Sequence, residues 1–215
     1  MIKVGIIDYG VGNLGSVQNA FNFIRTHNVD SENDFEVHIE SSPDNLKDYD
    51  KLLLPGVGAF GNAMEHLQRT GLDEAVIEFA QSGKYLLGIC LGMQLLFEKS
   101  FEFGEHSGLK LVEGEVVEFS KIAPLKVPHI GWNSCIFTHN AAHSPLFVGI
   151  NDKSFFYFVH SFHIKAKEEL ILAYCEYGYP FGAIVSKDNL FGIQAHPEKS
   201  HEVGLKLLTN FIKMK

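Results

Sequence analysis

Residues 86–94 read Leu-Leu-Gly-Ile-Cys-Leu-Gly-Met-Gln, and this stretch decides both the fold and the chemistry that the chain can support. The apolar run from Tyr85 predicts a buried strand, and the residues from Leu91 to Phe97 continue at helical spacing. Glycines stand two positions before and two positions after Cys90, where the backbone of a tight strand-to-helix turn leaves no room for side chains. The pattern is typical of a nucleophile elbow.

Cys90 is the candidate nucleophile of this elbow. A thiol at such a turn lies at the N-terminus of a helix, and the helix dipole there favours the thiolate. The alternative is a buried structural cysteine, which is the commonest role of a free Cys.

Residues 191–198 supply a candidate base, and they read Phe-Gly-Ile-Gln-Ala-His-Pro-Glu. A thiol nucleophile in acyl transfer needs an imidazole to take up and return its proton, and a carboxylate to orient that imidazole. We expect His196 and Glu198 to fill these two roles at the end of a strand. The alternative for the His-Pro-Glu segment alone is a solvated turn.

Residues 52–60 read Leu-Leu-Leu-Pro-Gly-Val-Gly-Ala-Phe, which predicts a buried strand followed by a glycine-rich loop. Free backbone N–H groups of such a loop can stabilise an oxyanion beside the thiol. A glycine-rich loop alone is usually only a turn. Together with the elbow and the His-Pro-Glu segment, it is a candidate oxyanion loop.

The first half of the chain alternates predicted strands and helices. Strands are expected over 3–8, 35–40, 51–54 and from Tyr85, and helices over 15–25 and 62–81, with an interruption at Thr70-Gly71; residues 28–34 predict a loop. This rhythm predicts an α/β fold whose central, mostly parallel sheet is flanked by helices. Ligands bind such sheets outside the C-terminal strand ends, where all three candidate segments fall.

The second half is richer in strands. Candidates are 109–119, 126–137, 154–164, 170–177 and 181–191, followed by an amphipathic helix over 202–212. We find no repeat, low-complexity segment or interdomain linker, so residues 1–215 are expected to form one domain.

Composition narrows the class of protein. The formal charge of −8 disfavours nucleic acid or an anionic membrane as the main partner, and no apolar run approaches the roughly 20 residues of a membrane span. Three cysteines and an N-terminus without a signal-peptide pattern predict a cytoplasmic protein without a disulfide framework. The histidines lack metal-binding spacing, so we expect no metal and no cofactor.

With these three segments in this order, the chain resembles the class I (triad) glutamine amidotransferases. More narrowly, it is similar to the glutaminase subunits of imidazole glycerol phosphate synthases. Four further segments carry that narrower resemblance: Ile-Asp-Tyr-Gly-Val-Gly-Asn-Leu at 7–14, Pro-His-Ile-Gly-Trp-Asn at 128–133, Tyr-Phe-Val-His-Ser at 157–161 and Lys-Ser at 199–200. The resemblance covers essentially the whole chain.

The resemblance implies a function for each segment. Cys90, His196 and Glu198 would form the catalytic triad that hydrolyses glutamine to glutamate through a thioester. One set of residues would hold the oxyanion through backbone N–H groups and bind glutamine. This set is Gly56, Val57, Gly58, Leu91, Gln94, His160 and Ser161.

The resemblance also implies a partner. The family passes its ammonia to a (β/α)₈-barrel cyclase subunit in a heterodimer of histidine biosynthesis. Positions that match the family's interface with the cyclase are Asn13, Pro128, Ile130, Trp132, Tyr157 and Lys199; without the resemblance, Trp132 would equally be a core aromatic residue.

Two departures from the family's pattern leave the pathway open. Gly15 stands where many members carry a basic residue, and Gly108-Leu109-Lys110 replaces a Gly-Leu-Gly segment. The main alternative is a paralogous glutaminase that supplies ammonia to a sugar amidotransferase for surface polysaccharides. A non-catalytic binding module and a cysteine peptidase or hydrolase on the same elbow are further alternatives.

Overall fold

The computed structural model describes residues 1–27, 34–119 and 125–215. Its first half alternates strands and helices as the sequence predicts, and the predicted loop at 28–34 lies outside the described residues except for Asp34. The elements are β1 (Ile2–Ile7), α1 (Leu14–His27), β2 (Phe35–Glu40), a 3₁₀ helix (Pro43–Asp48), β3 (Lys51–Gly56), α2 (Phe60–Thr70), α3 (Leu72–Gln81), β4 (Tyr85–Cys90) and α4 (Leu91–Leu95).

The second half consists mainly of strands and ends in one long helix. The elements are β5 (Phe97–Ser100), β6 (His106–Ser107), β7 (Val112–Glu118), β8 (His129–Phe137), β9 (Phe155–His160), β10 (Phe162–Lys165), β11 (Ile171–Glu176), β12 (Pro180–Lys187), β13 (Leu190–Ile193) and α5 (His201–Lys213), with four short 3₁₀ helices at 139–143, 145–147, 168–170 and 197–199.

The central part of the sheet is parallel, in the order β2-β1-β3-β4-β13. The sheet continues through β12, β10, β7, β5 and β6, where most pairings are antiparallel, and β11, β8 and β9 branch from β12. The predicted α/β fold with a central parallel sheet and a strand-rich second half is therefore confirmed.

Helices cover both faces of the parallel strands because successive side chains of a strand point to opposite faces. Leu53 and Leu87 pack in one buried cluster with residues of α1 and α5, such as Phe21 and Phe211. The neighbouring Leu52, Leu54 and Leu86 pack in a second cluster with residues of α2 and α3. Near-continuous apolar runs are what strands buried on both faces require.

The structure departs most from the sequence prediction at three elements. The stretch predicted as one strand over 154–164 is divided at Ser161, because β9 pairs with β8 whereas β10 pairs with β7 and β12. The stretch over 181–191 is a hairpin that turns at Asp188, whose φ is 52°. The elbow helix ends at Leu95, because Phe97 begins β5 and pairs there with Val112 of β7. Hydrophobic periodicity does not show which strands pair with each other.

Among the residues that the structure describes, no helix is long and apolar enough to span a membrane.

Replacing Phe211 by Ala tests the role of α5 in the core. Phe211 is completely buried against the sheet, so we expect the free energy of unfolding to fall by about 3–5 kcal/mol. Phe23 on α1 is 48% exposed, and the Phe23→Ala control should stay within about 0.5 kcal/mol of the parent. Urea unfolding followed by circular dichroism measures both, and equal losses would contradict the assigned packing.

Candidate active site

Cys90 stands at the junction of β4 and α4 in a conformation that side chains rarely adopt. Its φ is 55° and its ψ is −112°, outside the regions that non-glycine residues favour. Such a backbone is strained by about 1–3 kcal/mol and persists only where the surrounding structure enforces it. The strain turns the chain sharply from strand to helix, which is the geometry of a nucleophile elbow.

The two flanking glycines allow this turn to pack against its neighbours. A Cβ atom on Gly92 would overlap the carbonyl oxygen of Leu54 in β3, and one on Gly88 would lie 2.7 Å from the backbone of Gly92 and Met93. The missing side chain at Gly92 therefore lets the elbow fit against β3, and that at Gly88 lets α4 fold back onto the end of β4.

His196 and Glu198 meet immediately after β13, the strand next to β4. The Nδ1 atom of His196 lies 2.8 Å from Oε1 of Glu198, and the exposed fractions of the two side chains are 3% and 1%. The carboxylate accepts a hydrogen bond from Nδ1–H and thereby leaves Nε2 as the ring nitrogen that can exchange a proton. The rigid Pro197 between them lies in the 3₁₀ helix 197–199.

The electrostatics of His196 favour its protonated form. Burial alone would lower the pKa of His196, but interaction with Cys90 and the hydrogen bond with Glu198 raise it well above its ordinary value. Within the described part of the chain, the buried Nε2 of His196 and Oε2 of Glu198 have no hydrogen-bond partner. Buried polar atoms without partners are rare in folded proteins and often mark a functional site.

A cavity of about 320 Å³ opens over Cys90 and His196. Six of the residues that the sequence analysis selected for the oxyanion and for glutamine line it: Val57, Gly58, Leu91, Gln94, His160 and Ser161. Gly56 instead lies buried below the cavity, opposite Cys90 in the register of β3 and β4. A Cβ on Gly56 would lie 2.6 Å from the hydroxyl of Tyr9, so the oxyanion loop begins at another position that only glycine fits.

The side chain of Gln94 is held by two hydrogen bonds. Its Nε2 donates to the carbonyl of Phe162 at 3.0 Å and to Oε1 of Gln194 at 2.9 Å. Both protons of this amide are therefore engaged, which leaves only its Oε1 to accept a hydrogen bond from a ligand.

His160 belongs to a buried chain of hydrogen bonds. Its Nδ1 donates to the Phe162 carbonyl at 2.8 Å, so its Nε2 accepts from Nδ1 of His129 at 3.0 Å. Nε2 of His129 is then an acceptor for the Asn133 amide, 3.4 Å away. Burial lowers the pKa of His129 to about 4 and that of His160 to about 3, so both imidazoles are neutral near pH 7.

The sequence analysis missed Glu102 and Gln194. Glu102 lines the cavity, and its Oε2 accepts a hydrogen bond of 2.6 Å from the backbone of Phe60 at the start of α2. Burial raises its pKa. Nothing in the local sequence marks Glu102, whereas the two-residue spacing of Gln194 from His196 was an available signal, because alternate residues of an extended chain share a face.

The residues matched to a partner interface lie in three places. Ile130 and Trp132 project from β8 with exposed fractions of 58% and 44%, and Tyr157 is the register partner of Trp132 on β9. Pro128 and Lys199 line the mouth of the cavity itself. Asn13 lies just before α1, and its side chain accepts a hydrogen bond from the Ser16 backbone.

Across residues 1–27, 34–119 and 125–215, no three His, Cys, Asp or Glu side chains are grouped closely enough to bind a metal ion.

The fold agrees with what sequence and structure comparisons find. The family model for class-I glutamine amidotransferases matches residues 6–214. A PurLQS structure from Thermotoga maritima shares 20% identity and a TM-score of 0.71 over 98% of this chain and 97% of its own. The glutaminase domain of a Trypanosoma brucei CTPS shares 16% identity and a TM-score of 0.67 over 100% and 95%. The chain belongs to the class-I glutamine amidotransferase family.

Relatives of higher identity narrow the assignment. The imidazole glycerol phosphate synthase subunit HisH of Helicobacter hepaticus is 70% identical over 99% of both chains. That of Wolinella succinogenes is 51% identical over 98% of this chain and 99% of its own. The narrower resemblance is confirmed: this is an enzyme, a glutaminase subunit of the imidazole glycerol phosphate synthase type.

Adding one methyl group at the elbow tests its packing. A Gly92→Ala variant must displace the Leu54 carbonyl, so we expect its free energy of unfolding to fall by at least about 3 kcal/mol. A Cβ atom on Gly15 of α1 would meet no other atom within 4 Å, and Gly15→Ala should be neutral or stabilising by up to about 1 kcal/mol. Denaturant titration compares the two, and a Gly92→Ala protein as stable as the parent would refute the tight elbow.

The buried His129 predicts a loss of stability in acid. Its pKa is lower in the folded state than the ordinary value. Its contribution to the free energy of unfolding is therefore complete above about pH 6.5 and is lost as the pH falls towards 4. Between pH 7 and pH 4 we expect the free energy of unfolding of the parent to fall by about 3 kcal/mol more than that of a His129→Gln variant. Urea titrations at both pH values measure this difference, and parallel losses would contradict a buried neutral imidazole.

Proposed function

We propose that the chain hydrolyses glutamine through a thioester on Cys90, with His196 and Glu198 as its acid–base pair. The observation that carries this proposal is the geometry of the cavity. A strained elbow presents the Cys90 thiol beside an imidazole whose Nδ1 is fixed by a buried carboxylate and whose Nε2 has no other described partner. Those are the parts that nucleophilic acyl transfer requires.

The reaction follows from the roles of these atoms. Cys90 attacks the side-chain amide carbon of glutamine as a thiolate, and its proton passes to Nε2 of His196. His196 returns the proton to the departing nitrogen, so ammonia leaves and the glutamyl group remains on sulfur. His196 then takes a proton from water, hydroxide attacks the thioester, and glutamate and the thiol are released. Glu198 holds the imidazolium throughout.

Backbone donors beside the sulfur stabilise the oxyanion in this mechanism. The amide of Leu91 begins α4 directly after Cys90, and Val57 and Gly58 line the same cavity from the loop after β3. Fixed donors of this kind need no reorganisation during the reaction.

Glutamine is held by its charged end as well as by its amide. Glu102 offers a half-buried carboxylate for the ammonium group, and Gln94 offers Oε1 as a second acceptor. Ser161 lines the cavity with them. Because both ring nitrogens of His160 are already engaged, we assign it to shaping this wall and not to direct contact with glutamine.

The partner that we propose is a (β/α)₈-barrel cyclase, which receives the ammonia for histidine biosynthesis in the cytoplasm. Exposed large apolar side chains such as Ile130 and Trp132 are typical of a docking surface. Pro128 and Lys199 lie at the cavity mouth, where ammonia would leave. The names of the Helicobacter and Wolinella relatives support the synthase over the sugar-modifying paralogue. Residues 1–215 act as one glutaminase domain in this proposal.

Replacing Cys90 by Ala tests the proposal. Without the nucleophile we expect glutamate release to fall at least about a thousandfold, while binding to the cyclase is unchanged. Cys135 is equally a free and buried thiol, but it lies on β8 away from the cavity, and Cys135→Ala should retain activity.

The assay measures glutamate formation by each protein alone and with the cyclase and its ribotide substrate. Undiminished hydrolysis by the Cys90→Ala protein would overturn the assignment of the nucleophile. If the parent hydrolyses glutamine at the same rate with and without cyclase and ribotide, the proposed partner is overturned. The assignment of Cys90 as the nucleophile would then still stand.

A further inference from the structure

We propose that Gln194 is a further catalytic residue, whose side-chain amide donates a hydrogen bond to the Cys90 sulfur and stabilises it as the thiolate. This inference rests on the proposed function, because it assigns Gln194 a role only if Cys90 is the nucleophile.

Gln194 is held rigidly against the nucleophile. It directly follows β13, its side chain is completely buried, and its backbone N–H donates to the carbonyl of Ala183 at 2.8 Å. Its Nε2 lies 3.7 Å from Sγ of Cys90, within hydrogen-bonding distance for sulfur.

The surrounding hydrogen bonds fix which end of the Gln194 amide faces the sulfur. The Phe162 carbonyl can only accept, so Gln94 must turn its Nε2 towards it. The same Nε2 lies 2.9 Å from Gln194 and therefore requires an oxygen there. With its oxygen committed to Gln94, Gln194 can present only its Nε2 to Cys90.

The Phe162 carbonyl, which sets the orientation of both amides, is itself fixed. The Phe162 carbonyl also accepts from Nδ1 of His160, whose other nitrogen is engaged by His129. Inverting the Gln94 amide would place two oxygens against each other, and inverting Gln194 would place two NH₂ groups against each other. The direction of donation is thus set by a backbone carbonyl three hydrogen bonds away from the sulfur.

A donor that cannot invert favours one protonation state of the thiol. Sγ also lies 3.9 Å from the carbonyl of Val159, which can accept a hydrogen bond from a thiol but does not stabilise a thiolate. A hydrogen bond to a charged acceptor is about twice as strong as one between neutral groups. When the S–H bond breaks and the proton moves to Nε2 of His196, Gln194 keeps both its protons and gains the stronger bond.

Two substitutions separate donation from packing. Gln194→Met keeps the length of the side chain without a donor, and Gln194→Glu keeps the acceptor for Gln94 but places a carboxylate oxygen beside the sulfur. Asn210 on α5 supplies a matched control, since its buried amide donates to the carbonyls of Leu146 and Val148 at 2.9 and 2.8 Å, away from the cavity.

The measurement is the rate of Cys90 alkylation by iodoacetamide from pH 5 to pH 10, with peptide mapping to identify the modified thiol. For Gln194→Met we expect about tenfold slower alkylation at pH 7 and a midpoint about one pH unit higher, and for Gln194→Glu at least as large a change. Asn210→Leu should lower the melting temperature and leave the alkylation profile unchanged. A Gln194→Met profile superimposed on the parent's would overturn the proposal.

If neither Gln194 variant folds, a measurement on the parent protein tests the hydrogen bond from Gln194 to Cys90. The ¹H–¹⁵N resonances of the Gln194 side-chain amide should shift with the same pH midpoint as Cys90 alkylation. Resonances that do not move across that range would overturn the proposal. Failure of the proposed function is distinguishable from either result, since it would appear as glutamine hydrolysis that survives in Cys90→Ala.

Discussion

The backbone conformation of Cys90 is the constraint on which the rest of the site depends. A residue with φ of 55° is held there because β4 must turn into α4 while packed against β3. The turn and its packing against β3 leave no room for side chains at Gly88 or Gly92, nor at Gly56 on the facing strand. The three glycines therefore allow the same close turn, and the strained conformation of Cys90 that they permit places this residue in the lining of the cavity.

The parallel order of β3, β4 and β13 brings the remaining chemistry to the sulfur. The oxyanion loop follows β3, the elbow follows β4, and His196 and Glu198 follow β13, so three segments distant in sequence end at one edge of the sheet. The antiparallel second half adds the wall of the cavity. Its break at Ser161 separates β9 from β10 and leaves the Phe162 carbonyl free to accept from both Gln94 and His160.

Much of this arrangement is readable from the sequence. The apolar runs and helical spacing predict the elements of the first half, and glycine bracketing predicts the elbow at Cys90. What could not be predicted depends on pairing and burial. Periodicity does not reveal that β9 and β10 pair with different strands, and local sequence does not show that Glu102 reaches the cavity. The role of Gln94 is also clearer in three dimensions, because Gln194 and Phe162 occupy both of its protons.

The most direct test of this account is to quench glutamine turnover with acid and map the peptides by mass spectrometry, with the cyclase and its ribotide substrate present. The account predicts a glutamyl group bound through sulfur to the peptide that contains Cys90, and none on the peptides that contain Cys135 or Cys175. A glutamyl group on a different residue, or rapid hydrolysis with Cys90 blocked by prior alkylation, would contradict it.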